Sequence, residues 1–353
     1  GAEKAMVEAP SKTAKVSVVL KFIRNGCGGE EQIVSILLFL SKIQRSLQLM
    51  ISRRHFLSTS LGALSVSTLP AIEPINRPGK SRMMLGVAAY SFRESFQWSR
   101  DKEQKPKGDA KPWSILDFVD WCGDNNVPGA EVTSYFFPPD TDAKFCNEVK
   151  RRAYLRGVCL TGTAVGNNFA LPKGEKLTEQ IAYTKKWIDH AATMGAPHIR
   201  VFAGAKEKSL SEEEAVANCL AAYEECLDYA GEKGVFLGLE NHGGIVAEPD
   251  NLVKMVKAAK SPWAGINLDS GNFHTEDPYA DLAKIAPYAV NVQLKMEIKR
   301  KDAKEAEASD VKRLLQILRD ANYQGWFTLE YETKDDPFTN VPRILNELRP
   351  LLG

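Results

Sequence analysis

The chain has 353 residues, 44% of them hydrophobic, with 46 basic against 45 acidic side chains and a formal net charge of +1. This is the composition of a globular protein large enough to bury a sizeable core. The charge balance gives no electrostatic reason to expect nucleic acid or an anionic membrane as a partner.

In chain order, residues 1–49 read as an upstream extension, because Met50 stands just before a segment with the layout of an export signal. That segment, residues 50–75, holds paired arginines, then small and apolar residues, then prolines. Ser52-Arg53-Arg54-His55-Phe56-Leu57 resembles a twin-arginine signal, which implies export to the periplasm or another extracytoplasmic space. The plainer alternative is a basic loop before a short helix. Its apolar stretch is too short and too rich in Ser and Thr to span a bilayer, so no stable membrane span is expected in the mature chain. Of the six cysteines, Cys219 and Cys226 fall on one predicted helix, roughly 10 Å apart along its axis. That is too far for a disulfide, and Cys27, Cys122, Cys146 and Cys159 form no metal-binding spacing. An export route that carries folded proteins fits such a chain.

From about Met83 onward, short β-forming runs alternate with helical periodicity. The runs are MLGVAAYSF (84–92), GAEVTSY (129–135), GVCLTGTAV (157–165), HIRVFAG (198–204), GVFLGLEN (234–241), AGINLDSGN (264–272), AVNVQLK (289–295) and GWFTLEYE (325–332). Helical stretches fill the gaps. One of them opens on Ser211 and Glu214, a capping box, and can end at Gly231 or Gly234. Eight βα units over roughly 270 residues predict an α/β fold of the (β/α)8 TIM barrel type, one domain over residues 80–353. A doubly wound open sheet is the runner-up, but no G-x-G-x-x-G turn follows the first strand.

In such a barrel, alternate side chains point inward and chemistry gathers where the strands end. Strand five then delivers Glu240 and His242 above Phe236 and Gly238, with room beneath the carboxylate where Gly238 has no side chain. By the same alternation strand six delivers Asp269, strand seven Gln293 and Lys295, strand eight Glu330, strand two Glu131 and strand four Arg200. Converging carboxylates repel in a partly dry pocket, and two offsets are open. Lys295 and Arg200 can neutralise them in a buried ion-pair network. Alternatively, Glu240, Asp269, Gln293 and Glu330 can share one divalent cation.

The motifs GAEVTSYF, LGLENHGG, INLDSGNF, VNVQLKME and GWFTLEYE occur in an order that resembles the xylose-isomerase-like sugar phosphate isomerase/epimerase superfamily, over roughly four fifths of the chain. The resemblance implies one divalent metal on Glu240, Asp269, Gln293 and Glu330. Gln293 stands where the family commonly has histidine, which makes the site all-oxygen and favours Mn²⁺ or Mg²⁺ over Zn²⁺ or Co²⁺. The resemblance further implies that Glu240 and Glu330 exchange a proton beside a substrate carbonyl through an enediolate.

Lys295 would bond the developing oxyanion, and His242 would orient a hydroxyl, shuttle a proton or simply cap a turn. Glu131, Arg200, Asn272 and Tyr90 are the candidate substrate contacts, with Arg200 alternatively a structural partner of Glu131. Asn272 occupies a place where the family often has histidine. Phe92 and Phe136 read as core or pocket wall.

The expected substrate is a free ketose, keto-sugar or polyol, since phosphorylated sugars are chiefly cytoplasmic. A lyase or hydratase on a keto-sugar, keto-glycoside or keto-inositol would use the same proton abstraction. A sugar-binding barrel without turnover is the non-enzymatic alternative. The superfamily's DNA-repair endonucleases need a histidine-rich zinc cluster, whereas this chain has five histidines in all. A homo-oligomer is left open.

Overall fold

The computed structural model describes residues 72–105 and 111–352. The upstream extension, and the signal segment up to residue 71, lie outside the described residues. Eight parallel strands close into a barrel: β1 (Arg82–Ala88), β2 (Gly129–Thr133), β3 (Cys159–Ala164), β4 (His198–Phe202), β5 (Phe236–Glu240), β6 (Ala264–Asp269), β7 (Ala289–Leu294) and β8 (Gln324–Leu329). Each pairs with its sequence neighbour, and β8 closes on β1 with Gly86 opposite Thr328. Eight helices follow the strands in turn: α1 (Ile115–Asp124), α2 (Ala143–Leu155), α3 (Glu175–Met194), α4 (Glu212–Lys233), α5 (Pro249–Ala258), α6 (Pro278–Ile285), α7 (Val311–Asp320) and α8 (Pro337–Leu352). This is a (β/α)8 TIM barrel.

Local chemistry sets the helix ends. Ser211 and Glu214 form the expected capping box on α4, and Gly234 closes it at a φ of 71°, where a Cβ would be strained. Asp142, Asp277 and Asp310 cap three further helices by accepting backbone N–H bonds.

Along the strands, Ile199, Val201, Leu237, Leu239, Ile266, Leu268, Val292 and Leu294 are completely buried between barrel and helices. Their alternation with polar residues is what turns Arg200, Gly238, Glu240, Asn267, Asp269, Asn291 and Gln293 toward the barrel axis. At the N-terminal end the chain before β1 is tied down, Arg77 donating to the Ala289 carbonyl and Asn322 to the Arg77 carbonyl.

Two short antiparallel ribbons, absent from the sequence reading, sit in the loops after β1 (Trp98–Ser99 with Lys102–Glu103) and β7 (Glu297–Ile298 with Glu307–Ala308). The first turns through Arg100 and Asp101, both at positive φ, as a two-residue hairpin of this twist requires. Cys122, Cys146, Cys159, Cys219 and Cys226 are free thiols; Cys27 lies outside the described residues. Among the described residues no helix is long and apolar enough to cross a membrane.

Candidate active site

The strand ends deliver charge in two layers. In the lower one Glu131 of β2 is fully buried and meets only neutral donors: Gln293 Nε2 at 2.6 Å and Asn291 Nδ2 at 2.8 Å. Asn291 Nδ2 also donates to Asn267 Oδ1 at 2.9 Å, and Asn267 Nδ2 donates to Gln293 Oε1 at 2.6 Å. The four side chains thus close a ring of hydrogen bonds. Register explains it, since Asn267 of β6 is paired with Asn291 of β7 and Asp269 with Gln293. Burial, with the charge of Glu330 adding to it, pushes the Glu131 carboxyl up to about 7.

The upper layer is ionic. Arg200 Nε lies 2.7 Å from Glu240 Oε2, and Asn272 Nδ2 donates to Glu240 Oε1 at 2.9 Å. The same guanidinium bonds the Val165 carbonyl at 2.8 Å and lies over the Phe202 ring at 4.0 Å, so its position is fixed from several sides. Lys295 Nζ stands among three carboxylates, 2.6 Å from Glu330, 2.6 Å from Glu332 and 3.4 Å from Asp269. Asn241 clamps β5 to β6, accepting from the Asp269 N–H at 2.8 Å and donating to its carbonyl at 2.9 Å.

Burial, then repulsion from Asp269 and Glu330, pushes Glu240 up to about 8 against the opposing pull of Arg200. Asp269 is pushed up to about 7, again by burial first, with Lys295 opposing and Glu330 adding to the rise. Burial works against the charge on Arg200, but Glu240 more than offsets it and holds the guanidinium protonated.

A cavity of about 370 Å³ opens over this layer. Glu240, Glu330, Lys295, His242, Asn272, Arg200 and Tyr90 all border it, so these expected residues are brought together. His242 packs on Phe202 at 4.4 Å between ring centroids, and burial lowers its basicity. Glu131 differs from expectation. It was read as a substrate contact or a partner of Arg200, yet both its oxygens are taken by amides below the cavity, and Arg200 pairs with Glu240 instead. Phe92 and Phe136 lie in the aromatic core, Phe136 stacked on Phe96 at 4.2 Å.

The room under Glu240 is not empty either. The His198 ring fills it, so that a Cβ on Gly238 would come within 2.5 Å of that ring and one on Gly162 within 2.7 Å. Burial, with Arg200 adding to it, pushes this imidazole down to about 3, so it is a neutral spacer.

The expected metal ligands do not form a ligand set as placed. Gln293 has its amide oxygen on Asn267 and its nitrogen on Glu131, facing away from the cavity. Glu240 is committed to Arg200 and Asn272, and Lys295 sits between Asp269 and Glu330. As placed, the acids of the upper layer are met by Arg200 and Lys295.

Sequence reasoning missed Glu332, Asn267, Asn291, His198 and Tyr135. Glu332 had a signal, being the next even position after Glu330. The others depend on which strands meet.

No curated protein matches the chain in sequence. Among solved structures, a xylose isomerase domain protein from Planctomyces limnophilus is similar at a TM-score of 0.57 and 16% identity, over 78% of this chain and 99% of that one. A 3-keto-D-glucoside 4-epimerase from E. coli is similar at 0.57 and 15%, over 76% of this chain and 100% of that one. A D-psicose 3-epimerase, solved with D-fructose, is similar at 0.61 and 15%, over 77% and 100%. At such identities these likenesses speak for the fold. Residues 119–351 match the family described as xylose isomerase-like TIM barrel, and with the barrel and its strand-end acids this places the chain in that family.

Proposed function

We propose that the site moves protons beside the carbonyl of a small keto-sugar, as a sugar isomerase or epimerase does. The observation that carries this reading is that Glu240 and Glu330, from strands three positions apart around the barrel, border one cavity and each touch a fixed cation, Arg200 at 2.7 Å and Lys295 at 2.6 Å. Two carboxyls reaching a substrate from different sides are what removal and return of a carbon-bound proton require.

In this reading Glu330 takes the proton, and the C–H electron pair moves through the enediolate to the carbonyl oxygen. Lys295, already 2.6 Å from Glu330, then loses its carboxylate partner and turns its N–H groups to the new oxyanion. Burial raises the proton affinity of Glu240, so in this reading it takes up a proton from solvent as substrate binding loosens its contact with Arg200, and gives that proton to the other face. Tyr90 and Tyr135, edge to face at 6.3 Å, supply an apolar wall for the sugar ring. The 4-epimerase and 3-epimerase names of the structural neighbours support the same chemistry. Export by the twin-arginine route belongs to this reading and favours a free rather than a phosphorylated sugar.

A sugar-binding barrel without turnover is the second reading, favoured by the pairing of Glu240 with Arg200 and of Glu330 with Lys295. Incubation with a panel of keto-sugars in D₂O, followed by NMR of the proton beside the carbonyl, separates the two. Exchange in the wild type that disappears in E240Q and E330Q supports proton transfer. Tight binding with no exchange supports the binding protein, and an unsaturated product identifies a lyase.

A further inference from the structure

We propose that Lys295 is a built-in cation occupying the place where a divalent ion would gather Asp269 and Glu330, so that this barrel binds no catalytic metal. Three independent features carry this. First, the ammonium already lies 2.6 Å from Glu330, 2.6 Å from Glu332 and 3.4 Å from Asp269. A metal bound to the same oxygens at about 2.0–2.6 Å would sit against that ammonium and be repelled by it.

Second, the amide that would complete the coordination is turned elsewhere. Gln293 bridges Asn267 and Glu131 at 2.6 Å each, and turning its oxygen upward would strand two buried partners. Glu240 accepts from Asn272 on Oε1, while its Oε2 lies 2.7 Å from Arg200 Nε as an ion pair without hydrogen-bond geometry.

Third, the lysine's seat is shaped for it. Its backbone N–H donates to Ser270 Oγ at 2.8 Å, and its carbonyl accepts from Ser309 Oγ at 2.8 Å. Its stem lies over Gly271, where a Cβ would come within 2.7 Å of Lys295 Cγ. The absence of a side chain at Gly271 leaves room for that stem.

The inference stands on side-chain placement and does not rest on the proton-transfer reading, so its test reads binding rather than turnover. The chelator-treated protein is titrated with Mn²⁺ while free ion is followed by electron paramagnetic resonance, and thermal midpoints are taken with and without millimolar Mn²⁺. Wild type and K295R, which keeps the cation, are expected to leave the Mn²⁺ signal and the midpoint unchanged. K295M frees the place between the acids, and the pair K295M with Q293H is expected to bind Mn²⁺ at least about tenfold more tightly than wild type. Stoichiometric Mn²⁺ uptake by the wild type, with a rise in its thermal midpoint, overturns the proposal even if K295M does not fold. So does a folded K295M–Q293H protein that is as indifferent to Mn²⁺ as the wild type.

Discussion

Glu240 and Glu330 at the barrel mouth are met by full cations, Arg200 at 2.7 Å and Lys295 at 2.6 Å, whereas Glu131 one layer down is met only by the amides of Gln293 and Asn291. Both layers bury carboxyls. The upper one borders the cavity, so a proton on its acids has somewhere to go; the lower one is sealed, and its acid serves as an anchor for the amide ring. Burial raises the proton affinity of Glu131 and Glu240 alike, so it is accessibility, more than the kind of partner, that sets the two layers apart in the proposed reaction.

The sharpest way to break this contrast is to neutralise one acid in each layer. E330Q or E240Q is expected to lower deuterium exchange by about 10²–10⁴-fold, while E131Q leaves it within about tenfold; an equal loss in E131Q would make the lower acid part of the chemistry.

The next largest effect is on stability. R200M leaves Glu240 buried without its cation and is expected to cost about 3–5 kcal/mol in urea unfolding.

A pH series sharpens the contrast further. Glu131 titrates at about 7 in the folded chain against an ordinary value of 4.5. Through this group the folded state binds more protons between those values, so its contribution to stability is full below about pH 4.5 and is lost as pH rises through about 7. The contribution of this one group is about 3 kcal/mol, and E131Q is expected to flatten that part of the midpoint-against-pH curve. Smallest is N272A, which removes one hydrogen bond to Glu240 and is expected to cost about 1 kcal/mol in the same urea assay.

The barrel was legible because its signals are local. A strand such as Phe236–Glu240 shows its inward face by alternation, and α4 shows its start by Ser211 and Glu214. Most of the site followed from the same rule, since Glu240, Asp269, Lys295 and Glu330 all stand at or just past strand ends. The partners did not follow. Arg200 could be assigned to the barrel interior, but not to Glu240 rather than Glu131. Gln293 could be placed on β7, but not turned toward Asn267 and Glu131. The two ribbons after β1 and β7 are too short to show a period of their own.

By itself, then, the sequence determined the eightfold βα order, the face on which each polar residue stands and the rim to which the acids belong, because a period of two in a strand and 3.6 in a helix is written residue by residue. Only the tertiary structure decided that Lys295 joins Asp269, Glu330 and Glu332, that His198 fills the space beneath Glu240 and that an amide ring binds Gln293. Alternation fixes which way a side chain points. Which neighbour it meets depends on the stagger between strands as the barrel closes, and that stagger is a property of all eight together.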